Sequence, residues 1–265
     1  MPGFSVGISA NETFPGSYSR NGDLIMEAFT VNPTDSLPLP YGAAAFTNSS
    51  STLPLGGTVS NPLSLATTFI GTTNSNTTIS GISNTATAYF GGPLQVGMQI
   101  IASGVQPGAV IASIVNSTSI TITLGSISSL SGTTISALSP LLSTAGFVGI
   151  AAREVKTVES YANLYGPLGS QTSPNFGVYN QATTADVLVR GSCSIQIVPT
   201  QAPVLWGLLY LRVAKNPTTP YLQIGGFESV PDGTFSFAVP NTRFSNASVD
   251  QNGVCEVSIL SRNVS

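Results

Sequence analysis

Few residues in this chain have types and spacing that could do chemistry, and most candidates fail for want of a partner. "GFSVG", Gly3–Gly7, fits the Gly-x-Ser-x-Gly pattern that presents a nucleophilic serine on a strand-to-helix turn. That serine needs a general base, and the 265-residue chain contains no histidine. No strand-like run precedes the motif, so it reads as part of an N-terminal arm. Two carboxylates flanking a substrate could work as acid and base. Glu154 with Glu159, or Asp232 with Glu228, can be drawn as such pairs, but each serves equally as an ion-pair partner or solvated loop residue. "DQNG", Asp250–Gly253, has the start of a calcium loop without the terminal bidentate glutamate, and reads as a hairpin turn. With no histidine and two distant cysteines there is no zinc ligand set. No Gly-rich loop carries the lysine of a phosphate site. The expectation is a non-enzyme without cofactor or metal.

Composition narrows the class further. Charged residues make up 7% of the chain, against roughly 25% in an ordinary domain. Between Asp35 and Arg153 there is no Asp, Glu, Lys, Arg or His. Serine and threonine, about a quarter of the residues, supply the polarity instead. The net charge of −3 gives no basic footprint for nucleic acid. It is also small for this length, so self-association meets little charge repulsion. The densest apolar run, "APVLWGLLYL" (Ala202–Leu211), is far short of the ~20 residues of a membrane-spanning helix. Met1 is followed by neither a basic nor an apolar leader segment, so no secretory signal is read. Sequons at Asn11, Asn48, Asn76, Asn116, Asn246 and Asn263 are expected by chance where Ser and Thr are this common. Cys193 and Cys255 lie in apolar-alternating segments, which predicts two buried thiols, a bridge between C-terminal strands being the alternative.

The elements that must position these residues are strands. Short β-branched or aromatic runs bounded by Gly, Pro, Asn and Asp recur along the chain, the pattern of an all-β sandwich or barrel. Residues 1–50 carry turns and prolines and read as an extended arm leading into a first strand, Gly42–Thr47. Residues 51–143 form an uncharged Ser/Thr-rich block. Residues 144–265 hold most of the charges, the single Trp and both Cys. In the middle block, "TTFIGTTNSNTTISGI" predicts two short strands, and "LQVGMQIIAS", "VIASIVNS" and "TSITITLGSI" one each. Period-2 alternation places Ile120, Ile122 and Leu124 on one face and Thr121 and Thr123 on the other. Such a sheet lacks the charged edge residues that discourage edge-to-edge pairing. "REVKTVESYANLYG" (Arg153–Gly166) is the one helical candidate, and suits an extended segment equally.

In order along the chain stand "FPGSYSRNGD", "LPLPYGAAAF", "GFVGIAAREV", "ADVLVRGSCSIQI", "VLWGLLYLRVAKN", "IGGFES" and "VPNTRFSNASVDQNGVCEVSIL". These pieces, from residues 1–50 and 144–265, resemble the structural cement proteins that decorate tailed-phage capsids. The intervening block is an insertion relative to that family and is similar to small β-modules of phage structural proteins. The resemblance implies a β-sandwich or jelly-roll body, with the insert packed on the capsid or projecting from it. It implies a homo-oligomer, dimer or trimer, that clamps neighbouring major capsid proteins on the outer surface of a virion. Phe4, Phe14 and Tyr18 are then candidate anchors of the arm, or pack on the chain's own body. Arg20, Arg153 and Glu154 are candidate polar contacts. Arg190 and Arg212, on strands, are expected to pair with acids of their own sheet. The rival reading is an adhesin whose insert binds host glycans through Phe69, Tyr89 and Phe90.

Overall fold

A computed structural model describes residues 15–35, 37–48, 57–82, 94–153, 177–198, 201–216, 218–219, 222–250 and 252–262. Its strands run in chain order β1 (Tyr18–Val31), β2 (Leu39–Pro40), β3 (Ala44–Asn48), β4 (Thr58–Ser60), β5 (Ala66–Asn74), β6 (Thr78–Ser80), β7 (Gln99–Ala102), β8 (Ile111–Asn116) and β9 (Ser119–Ile122). They continue as β10 (Ser129–Leu138), β11 (Phe147–Ala151), β12 (Val178–Tyr179), β13 (Thr184–Gln196), β14 (Leu208–Arg212), β15 (Phe227–Glu228), β16 (Ser236–Phe244) and β17 (Val254–Ile259). Three short 3-10 turns are the helical content among the described residues. The all-β expectation holds. The helical candidate from Glu154 onward lies outside the described residues.

The larger sheet has nine strands in the order β1-β4-β3-β11-β13-β17-β16-β14-β15, and β13 also pairs with β1. Strands β1, β4, β3, β11 and β13 therefore form a closed five-membered ring, and closure removes open edges. Its interior holds Val31, Ala45, Val59, Val148, Ala185, Val187 and Val189. An isolated parallel bridge from Ile197 to Phe227 ties β15 back to the chain just beyond β13. The expected sandwich body is thus one sheet folded back on itself. Much of the segment read as an arm belongs to it, because Tyr18–Val31 runs antiparallel along nearly the whole of β13.

Alternation assigns the faces. On β3, Ala45 points into the ring, while Ala44 and Phe46 point to a second core with Phe147, Leu188, Leu211, Val239, Phe244 and Val257. On β13, Leu188 and Cys193 both face that second core although they stand an odd number of positions apart. Strict alternation forbids this, so the strand changes face between them. Gly191, at φ +116, supplies the backbone conformation that side-chain-bearing residues resist. Gly149 serves a different need: a Cβ there would lie 2.2 Å from the Leu188 carbonyl oxygen, on the neighbouring strand of the ring. Gly149→Ala is expected to lower stability by on the order of 3 kcal/mol, measurable as a reduced urea midpoint by circular dichroism.

The second sheet has six strands, β7-β10-β5-β6-β9-β8, and its own core of Phe69, Ile79, Ile100, Ile111, Ile120, Ile122 and Ile135. It spans residues 66–138, within the block read as an insertion at 51–143; Thr58–Ser60 of that block joins the larger sheet instead. The residues flanking the insertion pair directly, Phe46 opposite Phe147. At the junction, Leu65, Ala66, Ile101 and Leu138 pack into the second core of the body. Ile120 and Ile122 are buried as expected, but Leu124 is 40% exposed, because β9 ends at Ile122 and the chain bends away. The strand expected over Leu94–Ser103 is confined to Gln99–Ala102, since the chain turns at Val96–Gly97.

Hydroxyls and amides replace charge on the outer face: Ser113 and Thr121 hydroxyls lie 2.7 Å apart, and Asn74 Nδ2 donates to Ser80 Oγ at 2.9 Å. The edges are managed without charge as well. Residues 97–100 bond back to 109–111, so the sheet nearly closes. Strand β8 carries two register shifts against β9 within six residues, and irregularities of this kind twist an edge away from further pairing.

Candidate functional site

On β14 and β15, the last strands in the order of the larger sheet, neighbouring residues place a cation against an anion. Arg212 closes β14 and Glu228 closes β15, with Tyr210 paired to Glu228 and Leu211 to Phe227. The Arg212 side chain is fully buried. Its Nε donates to Glu228 Oε1, and its Nη2 donates to Glu228 Oε2 at 3.1 Å and to Asp232 Oδ2 at 2.5 Å. Asn216 Nδ2 donates to both Asp232 oxygens at 3.0 Å. The loop that carries Asp232 is fixed by its own N–H, which donates to Ser236 Oγ at 2.8 Å.

Burial pushes the Glu228 carboxyl up, against the opposing hydrogen bonds and charge of Arg212. Burial acts in the same direction on Asp232, but hydrogen bonds from Asn216 and Arg212 outweigh it and hold that carboxyl below its ordinary value. For Arg212, burial favours the neutral form, yet hydrogen bonds to Glu228 and Asp232 keep the guanidinium charged. The expectation that Arg212 pairs with acids of its own sheet is met. Glu228 and Asp232 are drawn together by the guanidinium between them.

Beside this cluster lies a cavity of about 210 Å³, lined by Val198, Gln201, Leu222, Val230 and Pro231 together with Arg212, Glu228 and Asp232. Gln201 Oε1 accepts from the Ser229 N–H at 2.6 Å and binds the wall to the next loop. The segment that carries Gln201 continues into Val204, Leu205 and Trp206, which are 70%, 51% and 62% exposed. The Gly207 N–H closes a tight turn onto the Val204 carbonyl at 2.7 Å, and the Trp206 N–H donates to the Phe244 carbonyl at 2.9 Å. Trp206 sits at φ +63, third in the turn, where glycine is favoured. A bulky aromatic in that conformation is an outlier maintained at a cost. The run had been legible only as apolar sequence; Pro203 and Gly207 were the signals that a turn, not a strand, would present it.

The other sequence-derived candidates are placed unevenly. Phe4, Phe14, Glu154 and Glu159 lie outside the described residues. Tyr18 and Arg20 fall on β1 opposite Cys193 and Ser192. Arg153, half-buried, donates its N–H to the Gly16 carbonyl at 2.7 Å, and the Gly16 N–H donates to Ser194 at the same distance. The start of β1 and Arg153 are therefore brought together, through backbone. Arg190 is half-buried on β13 beside Ile25. Phe69 is 2% exposed in the core of the smaller sheet and offers no face for a sugar; Tyr89 and Phe90 lie outside the described residues. Asp250 accepts from the N–H groups of Asn252 and Val254, both at 2.8 Å, as a hairpin turn requires.

Both cysteines are free and buried. Burial pushes the Cys255 thiol up to about 12 and raises Cys193 as well. Thiols so far from ionisation are poor nucleophiles. Neither is expected to react with a disulfide reagent at pH 8 until denaturant unfolds the body, when two equivalents should appear; thiol titration checks this. Among the described residues no group of acids, cysteines or histidines has metal-binding geometry, and no helix is long and apolar enough to cross a membrane.

Fold and site define the class at this level: an all-β protein with a sheet-closed body, an inserted second sheet, a buried ion cluster and an exposed apolar loop. No protein-family model matches the chain, and no curated protein matches it. Among solved structures, a chain of "The capsid of Myoviridae Phage XM1" is similar at 12% identity, over 97% of this chain and 95% of that one, with a TM-score of 0.45. At that score the likeness carries no property from that capsid to this chain.

Proposed function

We propose that the chain is a structural virion protein, a cement subunit that binds the outside of a tailed-phage capsid and bridges neighbouring shell subunits. The observation that supports the reading is the coherence of the segments that resemble cement proteins. They lie on both sides of an insertion, and the residues at its two ends pair as neighbouring strands, Phe46 with Phe147. The seven pieces thus belong to one body, interrupted by a module with its own core. The chemistry is compatible: low charge, a polar surface of hydroxyls and amides, and an exposed apolar loop suit many weak contacts repeated by symmetry. Avidity then accumulates without any single strong site. As a homo-oligomer on the shell, each copy would add a bridge that must break before capsomers separate.

The test uses particles from the source of this sequence, stripped of the chain by salt. Adding the full-length chain back is expected to raise the temperature at which the genome is released. Release at an unchanged temperature, with the chain bound, would remove the stabilising role. A chain that does not rebind at all would remove the shell-binding role with it.

A further inference from the structure

The cavity beside the ion cluster joins an apolar lining to a surplus of negative charge. One guanidinium faces two carboxylates there, a formal charge of −1. Arg212 and Glu228 are 0% and 2% exposed at the side chain, while Asp232 retains 28%, so the acid in excess is the one that solvent reaches. Asp232 Oδ2 already accepts from Arg212 and Asn216, whereas among the described residues Oδ1 accepts from Asn216. A carboxylate oxygen has about two acceptor positions, which leaves one at Oδ1. Thr219 lines the same cavity. Its hydroxyl helps to hold the Asp232 carboxyl low, yet it is buried without a partner at hydrogen-bond distance and angle. A buried polar atom in that condition calls for an explanation, and a donor entering the cavity supplies one.

We propose that this cavity binds a primary alkylammonium ion, its charged end between Asp232 Oδ1 and the Thr219 hydroxyl and its stem along Val198, Leu222 and Val230. The inference stands apart from the cement reading and holds with or without it. Charge selects a cation, since an anion would meet the excess carboxylate. An ammonium fits better than a guanidinium. A guanidinium binds a carboxylate best through two parallel bonds, one to each oxygen, and Oδ2 is taken by Arg212 and Asn216. An ammonium is a compact charge with three donors, enough for one oxygen of Asp232, the hydroxyl of Thr219 and a water. Size sets the stem. At about 210 Å³ the cavity is smaller than the roughly 300–1,000 Å³ of sites for drug-sized ligands. It suits a stem of about four carbons, the length of a lysine side chain. Such a stem lies along apolar surface while its charged end stays with polar partners. Val230 and Pro231 are both exposed, so the cavity is open to solvent beside them. A lysine side chain of a partner protein and a free diamine share this chemistry.

The test is a methyl NMR titration of the full-length chain at neutral pH with n-butylammonium. Saturating shifts at Val198, Leu222 and Val230 are expected, with a Kd of about 1–10 mM. n-Butanol and n-butylguanidinium keep the stem and change the head, and are expected to bind at least about 10-fold more weakly. Thr219→Val, equal in shape, should weaken n-butylammonium by about 5-fold, and Asp232→Asn by about 10-fold. Should Asp232→Asn fail to fold, Val230→Lys, at a position 53% exposed, takes its place. Its like charge at the opening should weaken binding by about 10-fold. Absence of saturable shifts at these residues would overturn the site. Equal binding of n-butanol would overturn the role of charge, and equal binding of n-butylguanidinium the choice of ammonium. Variants that fold and bind as wild type does would overturn the placement of the charged end. Nα-acetyl-lysine amide and 1,4-diaminobutane separate the two sources. Tighter binding of the first supports a lysine side chain, tighter binding of the second a free diamine, and binding of neither would overturn the proposal.

Discussion

Arg212→Met is expected to cost the body about 3–5 kcal/mol, because removing one partner of a buried pair leaves the other charge unpaired in a low dielectric. Glu228, 2% exposed at the side chain, is that other charge. The penalty should depend on pH in a defined direction. Without the guanidinium, the folded-state value of Glu228 rises further above its ordinary 4.5. A carboxyl raised in the folded state favours folding when protonated, so the variant's deficit shrinks as pH falls toward that range and is full at neutral pH. Asp232 behaves oppositely in the wild type. Its value is lowered, so its contribution is present above its ordinary 3.8 and is lost as pH falls below that. Urea unfolding of wild type and Arg212→Met at pH 8 and pH 5 reads the first trend, and wild type compared at pH 5 and pH 3 reads the second. Adding Glu228→Leu to Arg212→Met is expected to recover most of the loss, since the unpaired buried charge is then gone.

Phe46→Ala is expected to be about as damaging, at roughly 3–5 kcal/mol. Phe46 is fully buried, stacks edge-to-face on Phe147 at 6.0 Å and meets Phe237 at 6.4 Å. It sits in the core shared by the ring, the C-terminal strands and the junction of the insert. Truncation opens a cavity where three parts of the chain meet, so relaxation in one is opposed by the others. Phe46→Leu, which keeps most of the volume, should cost less than about 1.5 kcal/mol. Denaturant midpoints of the three proteins check the order.

What the sequence made legible was local. Alternation in Ile120–Ile122 and the apolar runs at Phe69 and Ile111 located five strands of the smaller sheet, because each element has period 2 and polar neighbours. The buried thiols followed from the same pattern. Closure did not follow, since pairing β1 with β13 joins residues more than 150 apart and no local signal encodes it. Thr58–Ser60 is too short to reveal which sheet it enters. Leu124 kept the alternation in sequence but lost it in space, where the strand ends two residues earlier. The change of face around Gly191 is invisible to any strict alternation rule. At the candidate site, own-sheet acids were expected for Arg212, and Glu228 meets that on the next strand. Asp232 joins only because the loop after β15 folds back, and sequence spacing does not fix that geometry. The absence of charged edges raised the prospect of sheet-to-sheet pairing; closure and the irregularities of β8 answer it by shape.

The most direct measurement is the number of copies of this chain in intact purified particles, by quantitative gel against the most abundant shell protein. A cement that follows the shell's symmetry should be present within about a factor of three of the shell subunit. A few copies per particle, or none, would contradict it.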